Sequence, residues 1–200
     1  MLYLASQSPR RRELLAQIGA VFSVLGVDIP EQRRAEELPQ DYVHRVAREK
    51  AQAGLAMLHD DRRADAVVLG ADTEVVLDGE VFGKPRDAAD ATAMLRRLSG
   101  RTHEVVSAVW LVRADRAVGD VCVSRVRFAA LDEATIHAYI AGKEPFGKAG
   151  AYAIQGRGAS LIEHLEGSYS GVMGLPLFET TRLLRALGVD ADGSSQGCAA

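Results

Sequence analysis

The sequence predicts an α/β fold, because strand signals and helix signals alternate along the chain. Two runs rich in Val and Leu flank Asp78-Gly79, a dipeptide favoured in two-residue turns, so residues 67–85 are predicted to form a β-hairpin. Apolar residues recur with a helical period over 39–59, which predicts a long amphipathic helix. A short strand is predicted from Leu2 to Ala5, and the Ser8-Pro9 pair after it is typical of a helix start.

The other elements are predicted from the same signals and from glycine or proline at their ends. Helices are predicted at 9–18, 87–98, 132–141 and 176–187, and strands at 21–27, 103–112, 121–128 and 161–165. Residues 113–120 are expected to form a loop, and residues 170–174 a short strand or a loop. With 200 residues, of which 48% are hydrophobic, the chain can bury one sizeable core. We therefore expect a single domain over 1–188 and a disordered polar tail over 189–200.

Composition argues against several classes of protein. The formal net charge of −3 and the aromatic content of 6% are unlike those of a nucleic-acid-binding surface. No apolar run approaches the roughly 20 residues of a membrane-spanning helix, and Met1 leads directly into a strand instead of a signal peptide. Cys122 and Cys198 have neither the pattern of a disulfide framework nor the spacing of a metal site. These features predict a cytoplasmic protein that binds neither nucleic acid nor membrane.

The far end of the predicted hairpin carries an acid, a hydroxyl and a lysine. If the turn is tight, Thr73 faces Lys84 across the hairpin. Strict alternation then places Asp72 on the opposite face of the ribbon, so Asp72 and Lys84 act together only if the chain bends near Gly70 or Gly83. The alternative is that Asp72 and Lys84 are strand-end charges that form a surface ion pair.

Three arginines lie in the first turn of the first predicted helix. Arg10, Arg11 and Arg12 are unfavourable there, because cations belong at the C-terminal end of a helix dipole. Together with free backbone N–H groups and the hydroxyls of Ser6 and Ser8, their guanidinium groups would form a phosphate cradle. A solvated basic patch is the alternative. Arg12 is expected to point away from the other two.

Four further polar side chains allow two interpretations each. Lys50 lies beside the apolar stripe of its helix, so its amine either reaches solvent or meets an anion at the rim of the core. Glu31 is either a metal ligand or an ordinary loop carboxylate. His103 opens a strand and is either a base or a hydrogen-bonded structural residue. Gln155, in the glycine-rich segment 144–156, either reads a nucleobase edge or belongs to a plain turn and strand.

Six motifs follow one another along the chain: LASQSPRR at 4–11, REKA at 48–51, GADT at 70–73, GKPRD at 83–87, LSGRTHEV at 98–105 and KAGAYAIQG at 148–156. In this order they resemble the motif set of the Maf family of nucleotide pyrophosphatases. The resemblance implies a mixed α/β fold related to the inosine triphosphate pyrophosphatases, with an elongated mixed sheet, flanking helices, two lobes and a central cleft. It also implies a homodimer that splits a nucleoside triphosphate into the monophosphate and pyrophosphate.

The resemblance also assigns roles to residues. It makes Asp72 the general base and implies a divalent metal, Mg²⁺ or Mn²⁺, with Glu31 as a looser match to a metal-binding glutamate. Because a metal lowers the pKa of its bound water, we expect metal-assisted hydrolysis with Asp72 as metal ligand or base. The resemblance assigns phosphate binding to Ser6, Arg10, Arg11, Lys50 and Lys84, to which the helix start adds Ser8. Arg10, Thr73 and Gln155 match the residues of the branch that acts on dTTP and UTP.

Two residues depart from the family pattern. Gly147 stands where many members have an aspartate, and Glu74 where an apolar residue is common. Alternation places Glu74 on the same face as Asp72, where it either adds a metal ligand or meets solvent. A non-catalytic nucleotide-binding regulator of cell division and septum formation is the alternative function. A P-loop kinase is disfavoured, because the chain has no G-x-x-x-x-G-K-[ST] motif.

Overall fold

A seven-stranded mixed sheet organises the chain in a computed structural model that describes residues 1–189. The predicted tail from residue 190 onwards, with Cys198, lies outside the described residues. The strands are β1 (Leu2–Ala5), β2 (Phe22–Leu25), β3 (Val67–Leu77), β4 (Glu80–Phe82), β5 (Thr102–Val112), β6 (Ala117–Phe128) and β7 (Ile162–Glu166). The helices are α1 (Pro9–Gln17), α2 (Pro39–Ala56), α3 (Asp60–Arg63), α4 (Ala88–Leu98), α5 (Glu133–Ala141), α6 (Tyr169–Met173) and α7 (Leu177–Ala186). The mixed α/β fold class is therefore confirmed.

Strand β3 is the centre of the sheet, whose order is β2-β1-β3-β5-β6-β7. β1 runs parallel to β2 and β3, whereas β3, β5, β6 and β7 are successively antiparallel. β5 covers one edge of β3 from Val68 to Val76. The other edge is shared, because β1 pairs with residues 67–69 and β4 with residues 75–77. Among residues 1–189, the stretch 70–74 of that edge has no strand partner, so the sheet has a gap there.

The two faces of β3 belong to different parts of the core. On one face, Val67, Leu69 and Ala71 point into a hydrophobic cluster formed with α1 and α7. Further along the same face, Val75 and Leu77 point into a second cluster formed with α4 and α5. The opposite face is covered by α2. The gap in the sheet edge lies between the two clusters, which leaves room for a cavity.

Helix α2 approaches β3 very closely at Gly70. A Cβ atom at this position would collide with the backbone carbonyl of Ala47 and would lie 2.5 Å from the backbone nitrogen of Ala51. Glycine is required here by the neighbouring backbone, not by its own conformation. The close approach brings Lys50 of α2 next to the middle of β3.

The hairpin and most other predicted elements are confirmed, with several corrections. Val75 pairs with Phe82, and the turn residues Asp78 and Gly79 adopt φ values of 53° and 76°. The long helix ends at Ala56 and is followed by the separate short helix α3. Within residues 1–189, no helix is both long and apolar enough to cross a membrane.

Two predicted segments were wrong. The predicted loop 113–120 is shorter, because β6 already begins at Ala117. Gly119 lies within this strand, and a Cβ atom there would collide with the Trp110 ring. Residues 170–174, predicted as a strand or loop, lie mostly in helix α6. That helix starts where the Ser168 hydroxyl accepts a hydrogen bond from the Gly171 backbone N–H at 3.0 Å, a cap that the sequence analysis did not recognise.

Candidate active site

A cavity of about 700 Å³ opens at the gap in the edge of β3. It is lined by the β1–α1 turn, α2, the middle of β3, the segment after β4 and the glycine-rich segment before β7. All ten predicted site residues line it: Ser6, Ser8, Arg10, Arg11, Glu31, Lys50, Asp72, Thr73, Lys84 and Gln155. The structure therefore brings these side chains together.

The gap explains how residues from opposite faces of β3 share one cavity. Asp72 and Glu74 point to the α2 face and Thr73 to the other, as alternation requires. The predicted contact between Thr73 and Lys84 was wrong, because the hairpin ladder ends at Phe82 and Lys84 lies beyond it. The chain leaves the hairpin at Gly83, the residue after β4. The Gly83 carbonyl accepts a hydrogen bond from the backbone N–H of Gly150 at 3.1 Å.

Lys50 holds two carboxylates at the floor of the cavity. Its Nζ atom lies 2.7 Å from Asp72 Oδ1 and 2.5 Å from Glu31 Oε1. Asp72 is 4% exposed, so the alternative of a surface ion pair between Asp72 and Lys84 is wrong. Lys84 instead lies 3.4 Å from Glu31 Oε2. Of the two interpretations of Lys50, the structure supports the one in which its amine meets anions.

The electrostatics of Glu31 follow from these contacts. Burial acts to raise its pKa, but the hydrogen bond from Lys50 and the charges of Lys50 and Lys84 outweigh burial and lower the pKa below its ordinary value. Glu31 therefore stays ionised at neutral pH. It links Lys50 and Lys84 from the loop between β2 and α2.

Glu74 is a buried carboxyl group on the same face as Asp72. It is 9% exposed, so the expectation that it meets solvent was wrong. Burial, followed by the negative charges of Asp72 and Glu31, raises its pKa to about 8. Within residues 1–189, Asp72 Oδ2 and Glu74 Oε2 are buried without a hydrogen-bond partner. Glu74 is therefore mostly protonated at neutral pH.

The residues present fit a divalent metal such as Mg²⁺. Mg²⁺ takes oxygen ligands, keeps several waters and is commonly bound through one or two carboxylates. The unpartnered Asp72 and Glu74 oxygens supply such ligands in the cavity. A preassembled set of three or more His, Cys, Asp or Glu ligands is not found in the described part of the chain, where the Lys50 amine contacts both Asp72 and Glu31.

The start of α1 forms the basic wall of the cavity. Ser6 Oγ accepts hydrogen bonds from the Ser8 backbone N–H at 3.2 Å and from Arg11 Nη1 at 3.4 Å. Arg11 Nε also donates to the carbonyl oxygen of Gly174 at 2.8 Å, which fixes this guanidinium between α1 and α6. Arg10 lines the cavity too, whereas Arg12 is exposed and does not. The alternative of a solvated basic patch is therefore wrong.

Ser8 does not cap α1 with its side chain in the part of the chain that the structure describes, although the Ser8-Pro9 pair is typical of a helix start. Ser8 occupies the N-cap position, but its side chain makes no capping hydrogen bond within residues 1–189. Its hydroxyl is thus available to the cavity that it lines. The residues that begin α1 line the same cavity, and helix starts are common anion-binding sites.

His103 is a structural residue. It is 2% exposed, and its Nε2 atom is hydrogen-bonded to the Tyr152 hydroxyl at 2.9 Å. Its ring packs edge-on against Phe128 and Tyr152, with centroids 5.1 and 5.4 Å away. Burial lowers the pKa of His103 to about 4. The alternative that His103 is a catalytic base is wrong, because it lies in the core and outside the residues that line the cavity.

Comparison with known proteins identifies the family. A family model described as Maf-like protein matches residues 1–187. The chain belongs to the Maf family. Two curated proteins named dTTP/UTP pyrophosphatase, from Xanthomonas euvesicatoria pv. vesicatoria and Xanthomonas axonopodis pv. citri, are each 60% identical over 189 residues, which are 94% of this chain and 99% of the relative.

A third curated relative of this Maf protein is a nucleoside triphosphate pyrophosphatase from Xylella fastidiosa. It is 58% identical over 185 residues, which are 92% of this chain and 97% of the relative. Among solved structures, that of the Staphylococcus aureus Ham1 protein aligns with a TM-score of 0.40 and 14% identity, over 64% of this chain and 71% of Ham1.

The Maf cavity contains functional candidates that the sequence analysis did not select. Lys148 opens the KAGAY motif, which could have revealed it, and burial followed by the charge of Arg10 lowers its pKa. Ser107 lies behind Thr73, and only the pairing of β3 with β5 reveals it. Gly147, which was expected to depart from the family pattern, lines the cavity with a φ of 74° and brings no carboxylate.

Proposed function

We propose that this Maf protein is a nucleoside triphosphate pyrophosphatase that hydrolyses dTTP and UTP to the monophosphate and pyrophosphate. The observation that carries the proposal is the cavity in which a buried, lysine-held Asp72 lies among basic side chains and a helix start. The names of relatives that are about 60% identical support the choice of substrates. We further propose that residues 1–188 act as a single catalytic domain.

The basic side chains would bind and neutralise the phosphates. A triphosphate resists hydrolysis because its negative charge repels a nucleophile, so catalysis depends on neutralising that charge and placing water in line. Arg10, Arg11, Lys50, Lys84 and Lys148 line the cavity and supply positive charge. In this proposal Arg11, already fixed by Ser6 and Gly174, holds a phosphate without having to be ordered first.

The balance of charge in the cavity supports a divalent cation as cofactor. Five basic side chains line the cavity, and five carboxyl groups accompany them: Glu13, Asp28, Glu31, Asp72 and Glu74. Even with Glu74 protonated, the net charge is only about +1, much less than a triphosphate carries. Oxygens of Asp72 and Glu31, joined by Glu74 once it loses its proton, would hold Mg²⁺ or Mn²⁺, which would add positive charge at the phosphates and make water a stronger nucleophile.

Asp72 would act as the general base. Its Oδ2 atom, which has no hydrogen-bond partner within residues 1–189, accepts a proton from the attacking water while Lys50 holds Oδ1 in place. The water oxygen forms a bond to phosphorus, the anhydride P–O bond breaks, and pyrophosphate leaves. Arg10, Thr73 and Gln155 would contact the base.

The experiment that tests the proposal is product analysis with a panel of nucleoside triphosphates, with and without Mg²⁺. We expect pyrophosphate and the monophosphate from dTTP and UTP, faster than from the purine triphosphates, and only when metal is present. Tight binding without pyrophosphate release would favour a non-catalytic nucleotide-binding regulator instead. We also propose that the protein is cytoplasmic and forms a homodimer. Light scattering of the purified protein would test the dimer through its molar mass.

A further inference from the structure

Ser107 is a buried hydroxyl directly behind a cavity residue. It lies opposite Thr73 in the pairing of β5 with β3 and is 1% exposed. The Ser107 and Thr73 side-chain oxygens are 2.8 Å apart, which is a hydrogen bond. Thr73 lines the cavity and Ser107 does not, so the Thr73 hydroxyl connects Ser107 to the cavity.

The direction of this hydrogen bond is determined by a third residue. Ser107 Oγ lies 2.6 Å from the backbone carbonyl oxygen of Gly171, and a carbonyl oxygen can only accept. Ser107 therefore donates its single proton to Gly171. In the contact between the two hydroxyls Thr73 must then be the donor, since two facing lone pairs would repel. The proton of Thr73 is used inside the protein, and only its lone pairs face the cavity.

The Gly171 carbonyl is itself held in place. Its residue belongs to the first turn of α6, which Ser168 caps through the Gly171 backbone N–H at 3.0 Å. Ser168 is in turn tied to Ser124, whose hydroxyl accepts from the Ser168 backbone N–H at 3.0 Å and lies 3.3 Å from the Ser168 carbonyl. Hydrogen bonds thus connect Ser124, Ser168, Gly171, Ser107 and Thr73 in that order, and they keep the Thr73 hydroxyl in one orientation.

We infer that Ser107 is a positioning residue that turns the Thr73 hydroxyl into a hydrogen-bond acceptor and thereby selects a pyrimidine with an N–H at position 3. Uracil and thymine present an N3–H between two carbonyl oxygens, whereas cytosine has an unprotonated N3 and an amino group. Arg10 only donates, and Gln155 can donate through its amide. Donor, acceptor and donor from Arg10, Thr73 and Gln155 would match the edge of uracil or thymine. This inference rests on the proposed function.

The test compares kcat/KM for UTP with that for CTP. In Ser107→Ala the Thr73 hydroxyl is free to rotate and can donate to cytosine N3, so we expect the UTP/CTP ratio to fall about tenfold, as for one hydrogen bond. Turnover of UTP at saturation should change much less. A folded Ser107→Ala protein with the wild-type ratio would overturn the inference.

A double-mutant cycle separates positioning from a general structural effect. Thr73→Val removes the hydroxyl through which Ser107 acts, so Ser107→Ala should leave the UTP/CTP ratio unchanged in that background. Loosening of α6, in contrast, would change kinetics in both backgrounds, and the same fall in the ratio in both would contradict the inference. If Ser107→Ala does not fold, Ser107→Cys keeps the shape with a weaker acceptor and should lower the ratio several-fold.

The outcomes also distinguish this inference from the proposed function. If the wild-type protein releases no pyrophosphate from any triphosphate, both are wrong. If it hydrolyses UTP and CTP equally well, or if Ser107→Ala keeps a strong preference for UTP, the pyrophosphatase activity stands and the role of Ser107 is wrong.

Discussion

Charged side chains at the floor of the cavity depend on each other for their burial. Lys50 is buried only because Asp72 and Glu31 lie within hydrogen-bond distance of its amine, and each carboxylate depends on the lysine in return. Removing one member of such a buried group leaves an uncompensated charge, which usually costs more than the pair contributes. Substitutions in the site must therefore keep the size and hydrogen bonding of the original residue.

His103 gives a prediction for the pH dependence of stability. Its pKa is lowered from 6.5 to about 4 in the folded protein, so the unfolded chain binds more protons between those values. Stability is therefore fully present above pH 6.5 and is lost as the pH falls towards 4. In His103→Gln, urea unfolding should show less pH dependence over this range, by on the order of 3 kcal/mol. Equal slopes for both proteins would contradict the role given to burial.

Gln155 gives a prediction for substrate choice. It is exposed at the cavity, so Gln155→Ala should leave the melting temperature unchanged while it reduces the preference for dTTP over other triphosphates. The expected loss is roughly fivefold to tenfold in the ratio of kcat/KM values, as for one neutral hydrogen bond. Gln52→Ala, an exposed position of α2 that does not line the cavity, is the matched control. Equal losses on all triphosphates would mean that Gln155 does not read the base.

At the scale of elements, the site depends on how α2 lies on β3. The helix contacts the strand backbone at Gly70, and this contact places Lys50 beside Asp72, two residues further along the strand. β1 and β4 share one edge of β3 and leave the gap between them. Position and length of the elements, more than any single side chain, thus create the cavity.

Gly70→Ala tests this arrangement. The added methyl group would collide with the backbone of α2, which cannot be relieved by a side-chain rotation. We expect a loss of about 1–3 kcal/mol in the free energy of unfolding and a clear fall in turnover, as α2 and Lys50 move away from Asp72. Gly26→Ala is the control, because nothing lies within 4 Å of its added methyl group. If Gly70→Ala matches that control in urea unfolding and in activity, the close approach is unimportant.

The sequence predicted features that short segments encode and missed those that depend on distant pairing. The Asp78-Gly79 turn was found because turn signals are local, whereas the bend considered at Gly70 was wrong, since β3 continues through this residue in regular pairing with β5. The contact of Thr73 with Lys84 was wrong because nothing local indicates that the ladder stops at Phe82. Ser107 was missed for the same reason, since its importance comes from the strand register.

At the scale of the whole molecule, one cavity collects residues from segments that are far apart in the chain. The β1–α1 turn, Glu31, α2, β3 and the glycine-rich segment all contribute to it. The motif resemblance predicted that these segments converge around Asp72. The gap in the sheet edge, which makes this convergence possible, became apparent only from the strand pairing. The sequence indicated that Lys50 is unusual because it lies beside an apolar stripe. It did not indicate that its partners are Asp72 and Glu31.

The most direct test of the account is the turnover of dTTP by Asp72→Asn. Asparagine keeps the shape of the side chain, so the fold should persist by circular dichroism, while loss of the general base should reduce kcat by roughly 10²-fold to 10⁴-fold. Asp61→Asn, an exposed residue of α3, should retain wild-type turnover. A folded Asp72→Asn protein that releases pyrophosphate from dTTP at close to the wild-type rate would contradict the central claim.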